Sequence, residues 1–217
     1  PDTGQFGTYV TITGTNLISQ DAPSDHTITS LVVGDLETEF ISANSTHIIF
    51  QAGNGSVGAA TINLVATSGA TTTETNGFTY ATLGVITSVS PTTGQVGTVV
   101  TISGERLLGG GSSATSVTLV GVDAAIDAND ASEITVIARS PSSLGSGDIV
   151  IPSDTGAVVT LSDGWQYVDA SEITQVEPAS GQVGSVVSIL GERMLGGGDS
   201  ISRVLLAGTA ASIVSGN

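Results

Sequence analysis

The chain contains no cysteine and no lysine, two histidines, and only 4 % aromatic residues in 217. Without cysteine there is no disulfide framework, no thiolate metal site and no cysteine nucleophile. Without lysine, the four bases are all arginine (Arg106, Arg139, Arg193 and Arg203). They face 20 acidic residues, for a net charge of −16. Such a surface repels phosphate backbones, which excludes nucleic acid as a partner. Charged residues make up only 11 % of the chain. The imbalance therefore comes from missing bases, which argues against the dense carboxylate coat of a halophile surface. No apolar run is long enough to cross a membrane. With so few aromatics, cores must be built from Val, Ile, Leu and Ala, and these residues with Thr and Gly suit strands and tight turns.

What the chain does contain is a repeat. Pro91-Thr92-Thr93-Gly94-Gln95-Val96-Gly97 recurs as Pro178-Ala179-Ser180-Gly181-Gln182-Val183-Gly184 and matches Pro1-Asp2-Thr3-Gly4-Gln5-Phe6-Gly7. Gly104-Glu105-Arg106-Leu107 matches Gly191-Glu192-Arg193-Met194 and, more loosely, Gly14-Thr15-Asn16-Leu17. Glycine triplets follow at 109–111 and 196–198, and the units close with Gly77-Phe78-Thr79-Tyr80 and Gly164-Trp165-Gln166-Tyr167. Successive opening prolines lie 90 and 87 residues apart, so the first unit holds three extra residues. Closing tyrosine and next opening proline are 11 residues apart both times, which predicts a fixed junction angle. The expected division is 1–82, 83–169 and a partial third unit, 170–217, without its C-terminal strands.

Alternation of apolar and polar residues predicts strands at 98–103, 116–120, 134–138, 148–151 and 157–161. Val100 and Ile102 should face inward, as should Val10, Ile12, Val187 and Ile189. Ile86 and Ile173 should begin the first strand of the second and third units. About seven short strands per unit, with no helical periodicity, predict an all-β chain of tandem immunoglobulin-like β-sandwich domains. The third unit stops short. Its missing strands are expected to continue in the same protein or, as the lesser alternative, to come from another molecule. No leader peptide is visible, and because the chain opens inside a repeat it is expected to be an excerpt.

The pattern formed by Pro91, Gly94, Gly97, Val100, Ile102, Gly104 and Leu107 is followed by Val117, Leu119 and Gly121, then by Gly164, Trp165 and Tyr167. It resembles the IPT/TIG domain family. Leu31, Val33 and Gly34 fill the middle strand in the first unit. The resemblance implies an Ig-like sandwich of the early-set type and no catalytic residues. Family members occur in cell-surface receptors, in long surface proteins, beside glucan-processing enzymes and in some transcription factors. Uninterrupted tandem copies look most like the long surface proteins.

Candidate sites are few. The glycine triplets lack the Lys-Ser/Thr and the helix of a phosphate loop, and are expected to be flexible inter-strand loops. Asp123, Asp127, Asp130 and Glu133 cluster as calcium candidates, set against a solvated acidic face. Asp169, Glu172 and Glu177 surround the second junction, whereas the first, 81–90, has no carboxylate. His26 and His47 have no counterparts in the later units. Phe78, Tyr80, Trp165 and Tyr167 could stack on a sugar, but their repeated position favours packing. Asn44 and Asn54 head glycosylation sequons. No catalytic constellation and no cofactor site is visible. The expected role is a non-enzymatic structural segment of an extracellular filament or surface adhesin, glycosylated, associating with itself or with neighbouring repeats. The alternatives are a ligand- or carbohydrate-binding receptor module, or a spacer beside an enzyme domain.

Overall fold

The computed structural model describes residues 1–18, 28–198 and 200–215. Every regular element among them is a β-strand.

The second repeat shows the unit in full. One sheet has five strands in the order Thr93–Gly94, Val158–Tyr167, Gly145–Pro152, Thr118–Leu119 and Val122–Asp123. The facing sheet has four, in the order Ala125–Asn129, Glu133–Ile137, Val99–Glu105 and Val85–Ser90. All pairings are antiparallel except Thr93–Gly94, which runs parallel to the closing strand. That exception ties the start of the unit to its end. Inward residues of both sheets meet in one core that includes Ile86, Val100, Ile102, Leu119, Ile134, Ile149 and Trp165. The chain is therefore a row of Ig-like sandwiches with two packed sheets.

All five expected strands are present. Glu133–Ile137 and Val99–Glu105 are close to expectation, whereas the expected strand at 116–120 is only Thr118–Leu119. The expected strand at 157–161 is the first half of a ten-residue strand that runs on into the closing Gly-Trp-Gln-Tyr. Val100 and Ile102 are fully buried, as their alternation requires. Ile86 is buried on the first strand of its unit.

The first repeat has the same plan. Its five-stranded sheet runs Thr3–Gly4, Thr71–Tyr80, Gly58–Ala66, Ile28–Val33 and Leu36–Glu37, and its three-stranded sheet runs Tyr9–Thr13, His47–Gln51 and Phe40–Ala43. The hairpin glycines Gly34 and Gly121 mark the same point in the two units, both with positive φ. Gly14 precedes Gly34 by 20 residues and Gly104 precedes Gly121 by 17, so the three extra residues fall between those two glycines of the first unit. In the third unit, Glu172–Glu177 pairs with Ser188–Glu192 and Val204–Leu206 with Thr209–Ala211. Ile173 lies on the first strand of its unit as expected and is 61 % exposed.

The same substitution should therefore cost different amounts at inward and outward positions of one sheet. Ile102→Ala should destabilise the second repeat by about 2–4 kcal/mol, whereas Ile137→Ala, at an exposed position of the neighbouring strand, should cost well under half of that. Trp165, the single tryptophan, lies in the second core, so its fluorescence during a denaturant melt follows that repeat alone. Equal losses for the two variants would contradict the assigned facing.

Candidate functional site: the junction between repeats

Polar groups converge most clearly where one repeat meets the next. Each repeat opens with the same turn. The Gln5 N–H donates to the Thr8 hydroxyl at 3.0 Å, and the Thr8 N–H donates back to the Gln5 carbonyl at 3.1 Å. Gln95 with Thr98 and Gln182 with Ser185 make the same pair of bonds. Gly7, Gly97 and Gly184 hold φ near +90° in these turns (90°, 87° and 88°), a conformation suited to glycine. The turn fixes the backbone that carries the glutamine.

At the first junction the Gln5 side chain is buried between two repeats. The Gly84 N–H, in the linker, donates to Gln5 Oε1 at 2.6 Å, and Gln5 Nε2 donates to the Val158 carbonyl at 3.3 Å. Arg106 Nε donates to the Leu83 carbonyl at 3.1 Å. Two backbone bonds complete the contact: Val158 N–H to the Phe6 carbonyl at 3.1 Å, and Tyr9 N–H to the Thr155 carbonyl at 2.9 Å.

The second junction repeats the linker half of this arrangement. The Ser171 N–H donates to Gln95 Oε1, and Arg193 Nε donates to the Ala170 carbonyl at 3.2 Å. Ser171 Oγ donates to the Arg193 carbonyl at 2.5 Å. Both arginines sit in the left-handed region, with φ of 53° and 51°, and each pairs with the glutamate before it, at 2.9 and 3.0 Å. These exposed pairs contribute little to stability by themselves. Their effect here is to orient a guanidinium whose Nε holds the linker.

The glycine triplets belong to this site, which corrects the expectation of flexible loops. Gly109 N–H donates to the Arg106 carbonyl and Gly111 N–H to the Leu108 carbonyl, both at 2.8 Å. Gly196 and Gly198 form the same turn, both at 2.9 Å. A Cβ placed on Gly109 would lie 2.8 Å from Gln5 Nε2 and 2.5 Å from the Ala157 Cβ; on Gly196 it would lie 2.9 Å from Gln95 Nε2. The triplets leave room for the preceding repeat's glutamine. Sequence reading missed this because the glutamine and the glycines that meet are about a hundred residues apart.

The other candidates are placed as follows. Asp123, Asp127, Asp130 and Glu133 are all exposed, and among the described residues no group of three or more His, Asp or Glu side chains comes together around a metal position. Asp130 closes a local turn instead. It accepts from the Ser132 N–H at 2.6 Å, the Ser132 hydroxyl at 2.8 Å and the Glu133 N–H at 2.8 Å. Those bonds, the Ser132 N–H foremost, hold its carboxyl below the ordinary carboxylate range. Asn44 fills the equivalent turn in the first repeat, accepting from Thr46 and from the His47 N–H at 2.8 Å. His47 Nδ1 lies 2.8 Å from the Thr46 hydroxyl, which makes it a turn residue. His26 lies outside the described residues. Asn54 is exposed, at the rim of a cleft shared with Phe6, Leu83 and Val158.

Phe78 with Tyr80, and Trp165 with Tyr167, form edge-to-face pairs at 5.0 and 5.8 Å inside the two cores. Their faces are closed to a sugar. Burial pushes both phenols up. A groove of about 480 Å3 runs along the edge strand Tyr9–Thr13, lined by Val10, Ile12, Leu17, Ile62 and Leu64 with Asp2 and Glu74. In the second repeat the strand carrying Ile86 pairs along the corresponding edge.

Comparison with known proteins agrees with this architecture. The family model described as "IPT/TIG domain" matches residues 1–80 and again 85–166. No curated protein matches the chain. Among solved structures, the chain is similar to the extracellular region of plexin A4, at 21 % identity and a TM-score of 0.49, over 82 % of this chain and 16 % of that one. It is similar to the Bacteroides ovatus protein SGBP-B, solved with a mixed-linkage heptasaccharide, at 18 % identity and a TM-score of 0.33, over 80 % and 46 %. A surface glycan-binding protein from Prevotella bryantii matches at 17 % identity and a TM-score of 0.32, over 77 % and 38 %. The chain thus spans less than half the length of each.

The Asp130 turn yields a prediction with a definite sign. A depressed carboxyl pKa contributes stability above the ordinary carboxylate range, and that contribution is lost as pH falls through the depressed value. Asp130→Ala should lower the melting temperature of the second repeat at neutral pH. Asp130→Asn, the residue type of the first repeat's turn, should lower it less. The gap between wild type and Asp130→Asn should close as the pH falls below the ordinary carboxylate range and through the depressed value. A gap that is independent of pH would mean that the charge on Asp130 does not strengthen the turn.

Proposed function

This chain belongs to the IPT/TIG domain family, and from that premise we propose that it is a non-enzymatic structural segment of an extracellular filament or surface adhesin, with 1–82, 83–169 and 170–217 as its working units. One observation carries the reading: the linker half of the polar junction is built twice along the chain, from equivalent residues. A linker whose amide and carbonyl are both held by side chains transmits orientation from unit to unit, and an array with neighbour-only contacts behaves as a rod. The Ser/Thr/Gly-rich, weakly charged surface suits an extracellular site, with glycans on the exposed Asn44 and Asn54 and contacts to neighbouring repeats as its partners. No calcium role is assigned to the acidic residues of the second repeat.

Small-angle scattering of the full chain should give an extended particle with one preferred angle between repeats. A profile of freely jointed beads would sink the rod reading. Electron microscopy of native material should show filaments or stalks with a regular axial spacing of sandwich-sized units. Strong, selective glycan binding by the isolated chain would favour a carbohydrate-binding module instead. Mass spectrometry of native peptides spanning Asn44 and Asn54 should show added hexose-type mass, and unmodified peptides would remove the glycan part of the proposal.

A further inference from the structure

The junction has two chemically distinct halves. The donor half is the opening turn with its glutamine, and all three repeats form it: Gln5, Gln95 and Gln182 each donate their N–H to a Thr or Ser hydroxyl three residues on, at 3.0, 3.1 and 3.0 Å. The receiving half is a left-handed arginine followed by a glycine turn. The second repeat carries it as Arg106 and Gly109, the third as Arg193 and Gly196. The first repeat differs in sequence: Asn16, with φ 56°, stands at the arginine position, and Ser19-Gln20 at the first two glycine positions.

We propose that these two halves form a compatibility rule between neighbours: a repeat can be latched onto the one before it only if it carries the arginine and the glycine turn, so the second and third repeats are receivers and the first is a donor only. The proposal rests on the rod reading above and deepens it by naming what fixes the angle. The physical reason is spatial. The glutamine amide lies 2.8 Å from where a Cβ on Gly109 would stand, and the backbone there has φ +55°, so a side chain at that place is strained and displaces the latch together. Asparagine at the arginine position is too short to reach the linker carbonyl that Arg106 Nε meets at 3.1 Å.

The cysteine-free chain allows clean spin labelling. Cysteines introduced at the exposed Thr71 and Ser142 (T71C, S142C) place one label on each of the first two repeats. Pulsed dipolar spectroscopy of the full chain should give a single narrow distance distribution. Replacing Gly109 and Gly110 by the first repeat's residues (G109S/G110Q) should broaden it roughly two-fold, as when a short linker becomes the main tether. Gln5→Ala, on the other repeat, should broaden it similarly. The same glycine replacement at Gly196 and Gly197 should leave this distance unchanged. Trp165 fluorescence melts confirm that the second core is intact in each variant. A narrow parent with equally narrow variants overturns the rule and leaves the rod reading standing. A parent that is already broad overturns both.

Discussion

Four residues separate the closing strand of one repeat from the first strand of the next, and their backbone groups must find partners away from any sheet. This requirement shapes the junction, because an unpaired buried peptide group costs as much as a lost hydrogen bond. The Ala81 N–H donates to the Gly4 carbonyl at 2.7 Å, the Leu83 carbonyl accepts from Arg106, and the Gly84 N–H donates to Gln5. The second linker answers in the same order: Val168 to Gly94 at 2.9 Å, Ala170 from Arg193, and Ser171 to Gln95. Sequence elements with no common role in a single sandwich, the Gly-Gln turn, the Gly-Glu-Arg segment and the glycine triplet, become one device when two sandwiches are joined.

The cores explain why so few aromatics suffice. Each complete sandwich places one edge-to-face aromatic pair at its closing strand, and the rest of the interior is Val, Ile, Leu and Ala, with Phe50 added in the first repeat. The closing strand is ten residues long in both repeats, and the short opening strand runs parallel beside it. Hence the chain enters and leaves each unit on neighbouring strands. The next repeat starts beside the preceding one's opening turn, which brings the glutamine within reach of the linker.

In this architecture Glu105 and Glu192 orient the junction arginines, and Asp130 serves a turn that the first repeat closes with neutral Asn44. Two of the four arginines are committed to the junctions. The −16 charge reflects a chain without lysine.

Sequence by itself determined the class of fold, the repeat and the inward residues Val100 and Ile102. These follow from period-two alternation and from landmarks at constant offsets, both local properties of the chain. It also held a trace of the junction in the unvarying distance from Tyr80 to Pro91 and from Tyr167 to Pro178. Only the tertiary structure decided what the conserved-looking glutamines and glycines are for. Gln5 meets Gly84 across 79 residues and Gln95 meets Ser171 across 76. Contacts of that separation exist only once each sandwich has closed and brought its ends together. No periodicity records such contacts, because the partners share neither a strand nor a unit.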